Sequence, residues 1–208
     1  MKKRILIAIL LVYFAYIYLF RRNYFKLDFK DKIVLDIGAS TGGFTDCALQ
    51  FGAKEVYSVD VGKDQLASKL KNDLRVHSYE QTNICDFNVD VNFDYLVMDV
   101  SFVSITKIIP ELIKFLNDYN YLICLFKPQF EAGKIKMKNG VIKDPKLHME
   151  IVNNLINFIS CIGLYVNDLT YSTQKGKSGN IEYLALISKN KNCRNYNVSE
   201  IVLESHKM

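Results

Sequence analysis

The chain has 208 residues, half of them apolar, with a formal net charge of +5 and an isoelectric point near 8.8. That is enough hydrophobic surface for one domain with a sizeable core, and the mild positive charge is compatible with a phosphate-bearing partner without demanding one. Cys47, Cys85, Cys124, Cys161 and Cys193 are far apart and odd in number. This argues against a disulfide framework and, with no two-residue gap between any pair, against a thiolate metal site or a redox dithiol.

At the N-terminus, Lys2-Lys3-Arg4 precedes an apolar run from Ile5 to Phe20 that Arg21-Arg22 closes. As a helix this run reaches only about 24 Å, short of a hydrocarbon core of about 30 Å. No small-residue cleavage site follows it, so it does not read as a secretory signal. Two readings stand, a weak membrane anchor or an apolar helix packed on the rest of the chain, and reduced cysteines place the protein in the cytoplasm under either. Residues 1–30 are taken as this segment and a linker, 31–188 as the main domain, and 189–208 as a polar tail that is partly disordered or forms a short docked helix.

From Asp31 onward, short β-branched apolar runs alternate with stretches of helical character, the pattern of successive βαβ units. Strands are predicted over 33–37, 55–60, 75–79, 95–99, 121–127, 164–171 and 181–187. Helices are predicted over 44–51, 63–72, 104–117 and 145–162, the last with Pro145 in its first turn after Asp144. The last two strands are joined by residues 172–180, too few for a crossover helix, so they pair antiparallel. The expected fold is α/β, a doubly wound, mostly parallel seven-stranded sheet with an antiparallel C-terminal hairpin. Residues 129–144 carry Lys134, Lys136, Lys138 and Lys143 between a strand end and a helix, and read as a basic surface loop.

The strongest local signal is the first strand running into Asp36-Ile37-Gly38-Ala39-Ser40-Thr41-Gly42-Gly43 and then a helix from Phe44. Glycines let backbone approach a ligand, and the helix N-terminus offers unpaired N–H groups. The pattern is neither Gly-x-Gly-x-x-Gly nor a Gly-Lys-Ser/Thr triphosphate loop. Its acidic start suits the amino group of a methionine moiety better than a pyrophosphate. Asp60 and Val61 end the second strand a little over twenty residues on, where a carboxylate can take both hydroxyls of a ribose. Asn83, after the third strand, is placed for an adenine edge or for structuring its loop. Asp99 and Lys127 fall at the carboxyl ends of adjacent parallel strands, and Glu182 begins the neighbouring antiparallel one, so the three can meet where open α/β sheets bind ligands. His77, His148 and His206 receive no role.

Five segments together resemble the TlyA-type RNA methyltransferases, a branch of the FtsJ-like fold that also carries a haemolysin label: Asp36 to Cys47, Val59-Asp60-Val61-Gly62, Asp99-Val100-Ser101-Phe102, Lys127-Pro128-Gln129-Phe130-Glu131-Ala132-Gly133, and Lys177 to Tyr183. The resemblance runs from about Asp31 to Ser188. It implies S-adenosylmethionine as cofactor, ribosomal RNA as partner, and methylation of a ribose 2′-hydroxyl. It implies that Asp99, Lys127 and Glu182 are three of a four-residue catalytic set, and that Asp36, Gly38, Gly42 and Asp60 hold the methyl donor. By position Ala39, Ser40, Thr41, Gly43, Phe44, Val61, Asn83 and Asp99 join that donor site. The family's N-terminal RNA-binding module and the segment bearing its first catalytic lysine are not intact; Lys26 lies several residues too close to Asp36. A membrane-active protein and a silent RNA- or nucleotide-binding paralogue are the alternatives.

Under the methyltransferase reading, Lys127 contacts the attacking oxygen, either stabilising the developing alkoxide or accepting its proton, with Asp99 and Glu182 holding it. Lys134, Lys136, Lys138, Lys143, Lys175 and Lys177 meet RNA phosphates, or are simply a solvated face.

Overall fold

The computed structural model describes residues 24–133, 140–176 and 179–208. The run from Ile5 to Phe20 and Lys134, Lys136, Lys138 and Lys177 lie outside the described residues. Strands β1 (Ile33–Ile37), β2 (Glu55–Val59), β3 (Val76–Tyr79), β4 (Tyr95–Met98), β5 (Tyr121–Phe126), β6 (Tyr165–Tyr171) and β7 (Tyr183–Ser188) form one sheet in the order β3-β2-β1-β4-β5-β7-β6. The first five are parallel, and β7 runs antiparallel to both β5 and β6. The expected doubly wound sheet is therefore present, with the last strand in sequence inserted inside β6. The strand order reverses direction at β1, which opens a crevice at the carboxyl ends of β1 and β4.

Both faces of the sheet are covered at its centre, which is why β4, β5 and β7 read as continuous apolar runs. Alternation along the strands sends Leu35, Ile37, Leu96, Met98, Cys124, Phe126 and Tyr183 to one core. Val34, Val56, Val97, Ile123, Leu125 and Leu184 go to the other. The first core is closed by α5 (Pro145–Cys161), whose buried Ile151, Val152, Leu155 and Ile159 follow helical spacing. The Asp144 side chain caps this helix by accepting from the Lys146 amide, and Pro145 sits in its first turn. The second core is closed by α1 (Gly43–Gln50), by α2 (Ser68–Lys71) and by the segment ahead of β1. Phe25 and Phe29 are buried there, each contributing on the order of 2 kcal/mol. The packed body thus begins before residue 31.

Two predicted helices are shorter than expected, for identifiable reasons. The one placed over 63–72 is reduced to α2, because the Glu80 carboxylate accepts the amides of Gln65 (2.6 Å) and Leu66 (2.9 Å) and fixes them in a loop. The one placed over 104–117 breaks into a 3-10 turn (Ile105–Lys107), α3 (Ile109–Leu112) and a second 3-10 turn (Ile113–Phe115). Pro110 has no N–H to continue a ladder from the preceding turn. At the other end, the tail docks through α6 (Val198–Ser205), with Val202 and Ser205 buried. Before it, the Arg194 amide and the Tyr196 hydroxyl donate to the carbonyls of Asn167 and Val166, covering the open side of β6. Among the described residues no helix is long and apolar enough to cross a membrane.

Candidate active site

The crevice has a backbone wall and a side-chain wall. The backbone wall is the turn from β1 into α1. Gly38 adopts φ +78°, and a Cβ there would lie 2.7 Å from the Asp99 carbonyl oxygen, so no larger residue fits between the two strand ends. Ala39 is buried, Ser40 exposed and Thr41 half-buried. Gly42 (φ +94°) caps α1 without any side-chain cap, packed under Leu66 and Leu70. Gly43 opens the helix, and the Phe44 side chain turns into the second core.

Asp36 lies beneath this turn, fully buried. Its Oδ2 accepts from the Thr45 hydroxyl (2.6 Å), and the Thr45 and Ser58 hydroxyl oxygens are 2.7 Å apart. Oδ1 has no hydrogen-bond partner among the described residues. Burial pushes the Asp36 carboxyl up to about 7, against the hydrogen bonds from Thr45 and with Asp99 and Asp60 acting in the same direction as burial. At the end of β2, Asp60 accepts the Ser40 amide (2.8 Å) on one oxygen and the Gly62 amide (2.6 Å) on the other, tying β2 to the turn. Val61 beside it is 72 % exposed. The Asn83 side chain accepts the Cys85 amide, which is a turn-structuring bond.

The side-chain wall is set by strand register. Met98 pairs with Cys124 across β4 and β5, and Phe126 pairs with Tyr183 across β5 and β7. The next residues outward are therefore Asp99, Lys127 and Glu182, brought to one end of three neighbouring strands. Lys127, only 8 % exposed, forms an ion pair with Asp99 and donates to the Ser101 hydroxyl (2.9 Å). Glu182 accepts from Gln129 Nε2 (3.2 Å) and is linked to Lys127 through space, not by a close ion pair. Burial pushes the Glu182 carboxyl up to about 7; the Lys127 charge opposes this and Asp99 adds to it. Gly176 leaves the room that Glu182 occupies, since a Cβ there would collide with Oε1.

Several residues at this wall were not singled out from sequence. Ser101 and Gln129 hold members of the charged cluster, and the only signal for them was membership of the Asp-Val-Ser-Phe and Lys-Pro-Gln-Phe-Glu segments. Phe102 is 92 % exposed, adopts φ +65°, and has its ring 5.2 Å from that of Phe130. A bulky side chain both strained and left in water has no folding rationale. Lys26 is exposed, on left-handed backbone (φ +55°) ahead of β1. Lys143 and Lys175 are exposed, and the Lys175 ammonium donates to the Met208 carbonyl. No group of metal-ligating side chains occurs among the described residues.

The family model described as FtsJ-like methyltransferase matches residues 20–189, which contain both walls. The chain belongs to the FtsJ-like methyltransferase family. It is 49 % identical over 166 residues to Hemolysin A of Brachyspira hyodysenteriae, covering 77 % of this chain and 69 % of that one. It is 34 % identical over 168 residues to the 23S rRNA (cytidine-2′-O)-methyltransferase TlyA of Campylobacter jejuni, covering 79 % and 65 %. A solved structure from Streptococcus thermophilus, described as a candidate hemolysin, superposes with a TM-score of 0.86 at 38 % identity, over 93 % of this chain and 73 % of that one. The matched part spans from 57 to 69 % of the length of these and the other curated relatives.

Proposed function

We propose that the chain transfers a methyl group from S-adenosylmethionine to a ribose 2′-hydroxyl of ribosomal RNA. The observation that carries this reading is the buried Lys127–Asp99 pair set beside the Gly38 turn, with Glu182 opposite. The residues fit the methyl donor. The Gly38 turn is a cradle that any Cβ would fill, Asp36 has a buried oxygen still to be satisfied, and Asp60 presents its carboxylate at the end of β2. In this reading Asp60 meets the ribose of the donor, Val61 its base, and the amides at the start of α1 its carboxylate. When bound, S-adenosylmethionine supplies an electrophilic methyl carbon.

An ammonium has three N–H donors. On Lys127, Asp99 and Ser101 take two of them, which leaves one for the ribose oxygen. Held by Asp99 and Ser101, the Lys127 ammonium orients the hydroxyl and stabilises the oxygen as negative charge develops. Glu182, with a proton affinity matched to neutral pH, receives the hydroxyl proton. Phe102 offers an exposed aromatic face a few residues from Asp99, suited to stack on the base of the target nucleotide.

The test is methyl transfer from labelled S-adenosylmethionine to unmethylated small and large ribosomal subunits, with the product nucleotide mapped. Wild type should yield one or more 2′-O-methylated nucleotides. Lys127→Ala should reduce the rate by about 10³-fold or more while leaving donor affinity within about threefold. Label on a base or on protein, or full transfer by the variant, excludes the reading.

A further inference from the structure

The turn that follows Lys127 is α4 (Pro128–Glu131), and its side chains reach both neighbouring loops. Gln129 goes to Glu182, while Phe130 and Glu131 go the other way, to the bend after β4. Glu131 makes two bonds there. Its Oε2 accepts the Ser104 hydroxyl at 2.6 Å, and its Oε1 accepts the Ile105 amide at 2.9 Å. Ser104 in turn accepts the Thr106 amide (3.2 Å) and caps the first 3-10 turn. Short hydrogen bonds to a carboxylate are the strong ones, so this end of the bend is fixed.

The bend needs fixing, because Phe102 at its apex combines left-handed backbone with a ring almost wholly in water. Such a conformation persists only where its surroundings over-determine it. Beside the Lys127 bond to Ser101, two contacts do so, the Phe130 ring against Phe102 and the Glu131 carboxylate against Ser104 and Ile105. Both belong to a turn anchored on Lys127, whose carbonyl accepts the Phe130 amide at 2.9 Å. The height of the Phe102 ring is thus referred to the same backbone that carries the Lys127 ammonium.

We infer that Glu131 is a positioning residue for the RNA substrate. It touches neither substrate nor donor, and sets the distance between the Phe102 face, which takes the base, and Lys127, which takes the ribose oxygen. This rests on the reading of Phe102 given above.

The experiment measures KM and kcat on ribosomal subunits, and the Kd for S-adenosylmethionine by calorimetry, for Glu131→Ala, Glu131→Gln, Ser104→Ala, Phe102→Ala and the Glu131→Ala/Phe102→Ala double variant. Glu131→Ala should raise the KM for RNA about tenfold, within the range of one lost base stack, and leave the donor Kd within about twofold. Glu131→Gln, whose amide oxygen still accepts from Ile105, should recover most of the loss. Ser104→Ala should give a smaller rise of the same kind, and it keeps the test decisive if Glu131→Ala fails to fold. The double variant should be no worse than Phe102→Ala alone. Additive losses in the double variant, or donor affinity falling in parallel, would show that Glu131 only stabilises the fold and would overturn the inference. If Phe102→Ala leaves RNA kinetics unchanged, the reading of Phe102 falls and the inference with it, whereas a silent Glu131→Ala beside an impaired Phe102→Ala removes the inference alone.

Discussion

The two walls of the crevice are built by opposite means. In the proposed reading the β1 turn works through main-chain atoms, with a buried carboxylate and two hydroxyls beneath it and Asp60 tying it to β2. At the ends of β4, β5 and β7 the same reading relies on side chains, delivered by register and held by Ser101 and Gln129. The first wall tolerates few substitutions because there is no side chain to adjust. The second can lose one group and keep its shape. Donor binding and transfer should therefore be separable by mutation.

The hardest test of that separation is Gly38→Ala. The new methyl would stand 2.7 Å from the Asp99 oxygen on a backbone at φ +78°. Donor affinity should fall by at least about 100-fold, with a loss of stability of roughly 2–4 kcal/mol, read by calorimetry and denaturant unfolding. Retained affinity would mean that the close strand approach is dispensable.

Glu182→Gln sharpens the comparison from the other side. Transfer should drop by roughly 10–100-fold with donor affinity intact. Wild-type kcat/KM should rise with pH through about 7 as Glu182 ionises, and that limb should vanish in the variant. The stability sign is also determined. The folded carboxyl titrates above the unfolded one, so the native state binds the extra proton and wild type loses stability as pH climbs from about 4.5 to about 7. Glu182→Gln should be more stable than wild type above pH 7, by on the order of 3 kcal/mol, with no gain below about 4.5. A pH-independent difference would remove Glu182 from the proton inventory.

The smallest effect is expected from Thr45→Val, which keeps the shape of the buried chain and deletes its hydroxyl. Asp36 then has one fewer donor, so stability should fall by roughly 1–3 kcal/mol above neutral pH and donor affinity by only a few-fold. Transfer from a saturated donor site should be unaffected. A large loss of rate would show that the walls are coupled through Asp36.

Much of this was legible in the sequence, and the parts that were not have a common cause. The central strands could be placed within two residues because β4, β5 and β7 are buried and carry continuous apolar runs, and the outer ones by their β-branched and aromatic residues. The glycine turn and the strand-end Asp99 and Lys127 followed from those strands. Helices failed where a distant side chain captured local amides. Glu80 holds Gln65 and Leu66, and nothing within residues 63–72 announces it. The place of β7 beside β5 was implied by setting Glu182 next to Asp99 and Lys127, although loop length alone does not decide whether β6 or β7 lies at the edge. For the same reason residue type alone did not show that Asp36 is fully buried, with one oxygen held by Thr45 and the other unpartnered among the described residues. Residue type showed that a carboxylate was there, and only the packing of Thr45 and Ser58 showed where its oxygens point.

The placement of β7 also orders events in time. A chain emerging from its own synthesis completes β1 to β5 first and can form the donor turn, but the slot beside β5 stays open until residues 183–188 arrive. Residues 190–205 then close the flank of β6. Glu182 reaches its station only after β1 to β5 have been made, so under the proposed reading a chain released before residue 182 should bind the donor without transferring its methyl group.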